Sequence, residues 1–150
     1  SETFLEAIKK FQAEKGLVLY AYVIMTNHVH LIFRAEHGNT GQLLGQLKES
    51  TAKKIRKQIE FNKRESRQAW MLRLMSAAGA QNSNVKYYQF WQQHNRPVEL
   101  FSSAVKHQKL KYIHQNPVRA GYVYKPEDWI WSSARAYIRE PSEIQVEFLV

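Results

Sequence analysis

The stretch LVLYAYVIMTNHVHLIFR, residues 17–34, decides the fold of this chain. It contains two runs rich in β-branched and aromatic residues, 17–25 and 28–34, which are separated only by Thr26 and Asn27. Such runs favour β-strands, and a connection of two residues suits a tight antiparallel hairpin. The sequence therefore predicts two antiparallel strands at the centre of the fold.

The segments around this hairpin carry apolar residues at helical spacing. Four helices are predicted, over residues 3–15, 40–60, 66–78 and 103–115. Pro117 is expected to end the last helix, because proline has no amide hydrogen and disfavours the α conformation just before it. Strand character returns in two further runs, residues 85–93 and 144–149.

This order of elements indicates an α+β fold with a ferredoxin-like (RRM-like) antiparallel sheet and helices packed on it. The 150 residues are expected to form a single domain, residues 1–150. A ferredoxin-like fold opens with a strand before its first helix. The chain is therefore expected to lack the first strand and to begin inside the domain.

Composition limits the classes of function. The chain has no cysteine, which excludes disulfide scaffolds, thiolate zinc sites and thiol nucleophiles and is typical of a reducing cytoplasm. There is no run of 18 apolar residues, and the first residues lack the apolar block of a signal peptide, so neither a membrane nor export is indicated.

The charge of the chain is strongly basic and uneven. Of the net charge of +9, the segment 48–73 supplies +6, from nine basic and three acidic residues. This block is the electrostatic footprint of a nucleic-acid partner, and a solvated helix face is the alternative. The residues expected to follow phosphates are Lys53, Lys54, Arg56 and Lys57, and those expected to stack on bases are Tyr87, Tyr88, Phe90 and Trp91.

The second strand carries an unusual His28-Val29-His30 triplet. Side chains alternate between the two faces of a strand, so both imidazoles are expected on the same face. Neutral imidazole is a metal ligand, but two imidazoles leave the coordination shell incomplete. The alternative is a pair of surface histidines on a hairpin.

A second group of polar residues lies on the helix before Pro117. Gln108, Tyr112 and Asn116 are four residues apart in turn and therefore share one helix face. An amide oxygen can ligate a hard cation, and a phenol one turn away would lie beside that cation. The alternative assigns Tyr112 to the core and treats Asn116 as an ordinary polar residue near a helix end.

The two motifs, MTNHVHLIF and YIHQNPVRAGYV, occur in an order that resembles the single-tyrosine HUH transposases. The resemblance is greatest to the REP-associated tyrosine transposases of the IS200-like family, and it extends to the segment WIWSSARAYI, residues 129–138. One departure is Thr26, which stands where the motif commonly has proline.

The resemblance implies that His28, His30 and Asn116 bind a divalent metal, Mg2+ or Mn2+, and that Tyr112 is the nucleophile. It implies an endonuclease and transposase that nicks single-stranded, hairpin-forming DNA and transfers the strand through a 5′-phosphotyrosine intermediate. In some relatives the tyrosine helix acts in trans across a homodimer, so a monomer and a homodimer both stay open.

Two other readings stay open as well. One is a ferredoxin-like module that binds nucleic acid without chemistry and does not need Tyr112 beside a metal. The other is a zinc hydrolase that takes its third ligand from His94, His107 or His114. His114 is the weakest of these, because two residues turn a helix by about 200° and place it away from Tyr112.

Overall fold

The computed structural model of the chain describes residues 1–81, 90–91 and 98–149. The chain divides into two compact units, Ser1–Leu43 with Val98–Val150, and Leu44–Pro97. Within the described ranges the elements, in chain order, are α1 (Glu2–Glu14), β1 (Leu17–Ile24), β2 (Val29–Ala35), α2 (Thr40–Phe61), α3 (Gln68–Ala80), α4 (Ser103–Arg119), a 3₁₀ turn (Pro126–Asp128) and α5 (Ala134–Tyr137). The predicted α+β class is confirmed.

Strands β1 and β2 form the predicted antiparallel hairpin. The amide of Met25 donates to the carbonyl of His28 at 2.9 Å and closes the turn around Thr26 and Asn27. In this register Val23 of β1 is paired with His30 of β2. His28 is therefore the last residue of the turn and His30 the second residue of β2.

The core of the first unit lies where β1 meets α1 and α4. Most residues of β1 are buried, and α1 buries one face against it, formed by Phe4, Leu5, Ala7, Ile8 and Phe11. One cluster joins Ala21, Val23 and Met25 to Ile113 of α4, with Trp129 packed against it. This cluster fixes α4 against the strand that leads into the histidine turn.

The other edge of β1 is covered by the segment before α5. Ile24 donates its amide to the carbonyl of Trp131 at 2.8 Å, and Ser133 donates its amide to the carbonyl of Tyr22 at 3.0 Å. These bonds form a bridge between Val23 and Ser132. The aromatic segment 129–138 thus packs onto the body of the fold.

The predicted strand over residues 144–149 is wrong. The amide of Glu147 does donate to the carbonyl of Leu19 at 2.9 Å, so this segment lies beside β1. The Tyr137 hydroxyl, however, donates to the Tyr20 carbonyl at 2.9 Å and accepts the Leu149 amide at 3.3 Å. The Tyr137 hydroxyl therefore links the main chain of β1 to that of the segment 144–149 at this point. The two segments do not form the continuous hydrogen-bond ladder of paired strands.

Helix α4 does not end before Pro117, as the sequence predicted, but continues to Arg119. Pro117 lies in the last turn, where losing one amide donor costs a single helical bond. The helix ends at Gly121, whose φ of 76° is left-handed. The amides of Gly121 and Tyr122 donate to the carbonyls of Val118 and Pro117, each at 3.0 Å, which is a Schellman motif.

This helix end is also connected to the histidine turn. The hydroxyls of Thr26 and Tyr122 are 3.1 Å apart and share a hydrogen bond. The Tyr122 ring stacks on Trp129, with ring centroids 5.3 Å apart and planes inclined by 17°. Because Tyr122 immediately follows the glycine cap, its side chain holds the turn close to the end of α4.

The second unit contains most of α2 and all of α3. Leu47, Thr51 and Ile59 form the buried stripe of α2. Thr51 accepts a bond from the Trp91 indole at 2.9 Å, and Gln68 at the start of α3 donates to the Ile59 carbonyl at 2.7 Å. The predicted strand 85–93 lies largely outside the described residues, and residues 90 and 91 are not in a strand.

None of the helices in the described ranges combines the length and the apolarity that crossing a bilayer requires.

Candidate active site at the histidine turn and helix α4

The two histidines lie side by side, as strand alternation predicts. Their ring centroids are 5.0 Å apart and their planes are inclined by 74°. His28 is exposed in the turn, and His30 is half-buried on β2. One imidazole therefore faces solvent while the other is partly sheltered by the fold.

The residue before the pair orients the first imidazole. Nδ1 of His28 is 2.6 Å from Oδ1 of Asn27. An amide oxygen can only accept, so in this bond Nδ1 carries the hydrogen and Nε2 keeps its lone pair. Metal-binding histidines commonly have one ring nitrogen fixed in this way by an oxygen acceptor.

The second imidazole is held in its neutral form. Burial lowers the pKa of His30 below its ordinary value of 6.5. Positive charge on nearby groups acts in the same direction, from His28 when its ring is protonated and from Arg119 and Lys109. Since only neutral imidazole can ligate a metal, His30 is in the ligand-competent state at neutral pH.

Tyr112 of α4 lies next to this pair. Its ring centroid is 5.5 Å from that of His30, with planes inclined by 79°. The tyrosine is 43% exposed, so the core alternative for this side chain is wrong. The structure thus brings together His28, His30 and Tyr112, although 82 positions separate the last two in the sequence.

Two basic side chains surround the same ring. The Arg119 guanidinium carbon is 4.4 Å from the Tyr112 ring centroid, and the Lys109 ammonium is 6.0 Å from it. Arg119 also donates from Nη2 to the Tyr112 carbonyl at 2.9 Å. Sequence reasoning missed both residues. The available signal was their spacing, since residues three before and seven after Tyr112 lie on its helix face.

Asn116 lies one helical turn after Tyr112 and is half-buried. Its main-chain carbonyl accepts the amide of Ala120 at 3.0 Å. In the part of the chain that the structure describes, no three side chains of the types His, Cys, Asp and Glu come together. The structure therefore brings His28 and His30 together, and the assignment of Asn116 as a third ligand stays a prediction.

The outer face of α4 forms a shallow depression around the tyrosine. Its volume is about 510 Å³, and its lining residues are Gln108, Lys111, Tyr112, Gln115 and Arg119. Two of these side chains are basic and three are neutral and polar. Such a lining suits a ligand that carries phosphates.

A family model described as "Transposase IS200 like" matches residues 1–88 of this chain. The match covers more than half of the chain and includes both histidines. The chain belongs to the IS200-like transposase family. The matched range ends before α4, so the assignment of Tyr112 and Asn116 to the family motif rests on the residues themselves.

A solved structure agrees with this membership at the level of the fold. The structure of a REP-associated tyrosine transposase bound to a REP hairpin superposes with a TM-score of 0.56 and 16% sequence identity. The alignment covers 99% of this chain and 75% of that chain. The search of curated proteins gave no significant match.

The basic residues predicted to contact DNA belong to the second unit of this family member. Lys53 pairs with Glu49 at 2.6 Å, and Arg56 pairs with Glu60 at 2.7 Å. Lys57 is exposed and Lys54 is half-buried. At 100° per residue the four side chains spread over roughly 160° of the helix surface, so they do not form one narrow row.

Two of the three histidines considered as a third zinc ligand, His107 and His114, lie in the described ranges and do not join the pair. His114 lies on the inner side of α4, where its Nε2 is 2.8 Å from the Ser133 hydroxyl and its ring packs against Tyr137. Burial lowers the pKa of His114 to about 4. His107 bonds to the Ser103 carbonyl through Nδ1 at 2.8 Å. His94 lies outside the described residues.

Proposed function

We propose that this member of the IS200-like transposase family nicks single-stranded DNA and transfers the strand through a covalent bond between Tyr112 and a 5′-phosphate. The observation that carries the proposal is the contact between the Tyr112 and His30 rings. It puts an exposed phenol beside two imidazoles, and these are the types of group that a tyrosine nucleophile and its metal site require.

The bond changes follow from the nucleophile. A phenol is mostly protonated at neutral pH and is a weak nucleophile, so its proton must leave as its oxygen attacks phosphorus. The new bond joins the Tyr112 oxygen to phosphorus, and the bond from phosphorus to the 3′-oxygen breaks. That oxygen takes up a proton and becomes a free 3′-hydroxyl. A second 3′-hydroxyl can reverse these steps and rejoin the strand without nucleotide hydrolysis.

The residues around Tyr112 supply the electrostatics. His28, His30 and Asn116 would hold a divalent ion, Mg2+ or Mn2+, which would supply a Lewis acid to neutralise charge on the scissile phosphate. His28 and His30 contribute their neutral imidazole nitrogens to that site. Arg119 and Lys109 add fixed positive charge at 4.4 Å and 6.0 Å from the Tyr112 ring centroid, where an incoming phosphate needs it.

The proposed substrate is single-stranded DNA that forms hairpins. The solved relative was bound to a REP hairpin, which supports this choice by analogy of fold. The depression around Tyr112 offers Lys111 and Arg119 to phosphates close to the reacting bond. The basic residues of α2 would attract phosphates of the same strand through charge alone.

The test compares the wild type with Tyr112→Phe, which keeps the ring but removes the hydroxyl. With Mn2+ and a hairpin oligonucleotide that has a single-stranded flank, the wild type should form an SDS-resistant adduct whose tryptic peptide carries the nucleotide on Tyr112. Tyr112→Phe should bind the oligonucleotide and form no adduct. Tyr124→Phe is the matched control, because Tyr124 is 98% exposed and should be dispensable.

Three outcomes separate the readings. An adduct in the wild type that Tyr112→Phe abolishes supports the transposase reaction. An adduct that persists in Tyr112→Phe would assign the chemistry to another tyrosine. Tight binding without any adduct in the wild type would favour a module that binds nucleic acid and performs no chemistry.

A further inference from the structure

We propose that Arg119 is a positioning residue, which holds the ring and the main chain of Tyr112 in the orientation used for attack on DNA. The inference rests on the proposed role of Tyr112 as nucleophile. It concerns a different residue, one that neither the charge pattern nor the histidine motif of the sequence indicated.

Arg119 makes two contacts with the same tyrosine. Its Nη2 donates to the Tyr112 carbonyl at 2.9 Å, and its guanidinium carbon is 4.4 Å from the ring centroid. The first contact is a hydrogen bond that fixes the guanidinium to the helix main chain. The second is a cation–π contact that places the guanidinium against the aromatic ring. A planar guanidinium can make both contacts at once, whereas a lysine ammonium is a single point charge.

The end of α4 is built in a way that makes this reach possible. Residues 112 and 119 are two turns apart and share a helix face. The Arg119 side chain extends back over these two turns and donates to the Tyr112 carbonyl. The Gly121 cap immediately after Arg119 fixes the last turn from which the side chain extends.

Without Arg119 the ring would lose the nearer of the two basic side chains that contact it beside His30 in the described part of the chain. Tyr112 is 43% exposed and touches the His30 ring edge-on. An exposed phenol with a single aromatic neighbour can turn between rotamers. In-line attack on phosphorus needs the oxygen within a narrow range of positions, and a displacement of about 1 Å can cost about 10²-fold in rate.

The kinetic test measures adduct formation in a single turnover at saturating hairpin DNA. Arg119→Gln should slow this step by roughly 10²-fold. The Kd for an uncleavable oligonucleotide should rise by no more than the loss of one phosphate contact accounts for, and the thermal unfolding temperature should change little. Arg119→Lys should recover only part of the rate, because it restores the charge without the planar contact. Lys106→Gln, on the same helix, removes an equal charge away from the ring and should leave the rate unchanged.

Chemical rescue sharpens the result. Arg119→Ala should regain part of its rate when methylguanidine is added, and an equal concentration of methylammonium should not restore it. Equal rates for the wild type and Arg119→Gln would overturn the inference while the wild-type adduct still supports the proposed function. Equal losses in Arg119→Gln and Lys106→Gln would overturn it as well, because they would show an effect of charge alone.

A second readout does not depend on cleavage. With 3-fluorotyrosine incorporated at position 112, the ¹⁹F resonance should move toward that of the free amino acid in Arg119→Gln but not in Lys106→Gln. If the wild type forms no adduct, the proposed function fails, and this comparison alone decides whether Arg119 orients Tyr112. An unchanged resonance in Arg119→Gln would overturn the inference in either case.

Discussion

Helices α2 and α4 both carry basic side chains, but they use them differently. On α2, Lys53 and Arg56 are each bonded to a glutamate one turn away. On α4, Arg119 and Lys109 approach an exposed tyrosine beside two imidazoles. Positive charge alone attracts any phosphate, whereas positive charge around a nucleophile can act on one phosphate in particular. Changes to α2 should therefore alter affinity, and changes around α4 should alter rate.

The largest expected effect tests whether the residues beside Tyr112 take part in the reaction. His28→Ala with His30→Ala removes both imidazoles, so Mn2+ binding by calorimetry and DNA cleavage should be lost together. Affinity for an uncleavable hairpin oligonucleotide should persist, because the basic residues of α2 and α4 are intact. Unchanged Mn2+ affinity in the double variant would show that the histidines are not the metal site.

The inner side of α4 should make the stability of the fold depend on pH. His114 has a pKa of about 4 in the folded protein, below its ordinary 6.5, because burial penalises the charged ring. The unfolded chain therefore takes up the proton first as pH falls. The contribution of His114 is complete above about pH 6.5 and is lost progressively down to about pH 4, by up to about 3 kcal/mol.

Urea unfolding at pH 7, 5.5 and 4.5 measures this loss. His114→Gln should be less stable at pH 7 and should flatten the pH dependence. The exposed His37 provides the control, so His37→Gln should retain the wild-type slope. A wild-type slope in His114→Gln would assign the pH dependence to other groups.

The two pairs of basic residues on α2 should contribute unequally to DNA affinity. Lys53→Gln with Arg56→Gln removes charges already bonded to Glu49 and Glu60. Lys54 and Lys57 have no carboxylate partner among the described residues. Lys54→Gln with Lys57→Gln should therefore lower the slope of log K against log salt by about 1.4, at about 0.7 per lost contact with single-stranded DNA. Equal slope changes in the two double variants would contradict this distinction.

The smallest expected effect is a pair of glycine substitutions of opposite sign. Gly121→Ala should destabilise by about 1 to 2 kcal/mol, because φ is 76° there and a Cβ is strained in the left-handed region. Gly45→Ala, in the interior of α2, should stabilise by about 0.5 to 1 kcal/mol, since a Cβ there meets no atom of the described residues within 4 Å. Thermal unfolding measures both, and a stabilised Gly121→Ala would exclude the glycine cap.

The features that followed from the sequence depend on local rules. The hairpin, the paired histidines and the buried stripe of α2 all follow from strand alternation or helical spacing within a few residues. The proximity of Tyr112 to His30 spans 82 positions, and only the family resemblance implied it. No local rule brings an α4 side chain to a particular strand residue.

The two wrong predictions and the missed residue depend on contacts that these local rules do not include. Pro117 is a strong local stop signal, but the helix continues past it because the Gly121 cap provides the remaining carbonyls with donors. The run at 144–149 has strand composition, yet the Tyr137 hydroxyl occupies the Tyr20 carbonyl beside it. Arg119 was missed because its partners, a carbonyl and a ring face, leave no charge pattern in the sequence.

The hydrogen bond between Thr26 and Tyr122 has a consequence for how related sequences can vary. Proline, common at this position of the motif, stiffens the turn through its ring but has no hydroxyl to share. Threonine leaves the turn freer and ties it to the end of α4 instead. The two positions should therefore covary, with a hydroxyl-bearing residue favoured at position 122 where threonine occupies 26, and apolar residues tolerated at 122 where proline does.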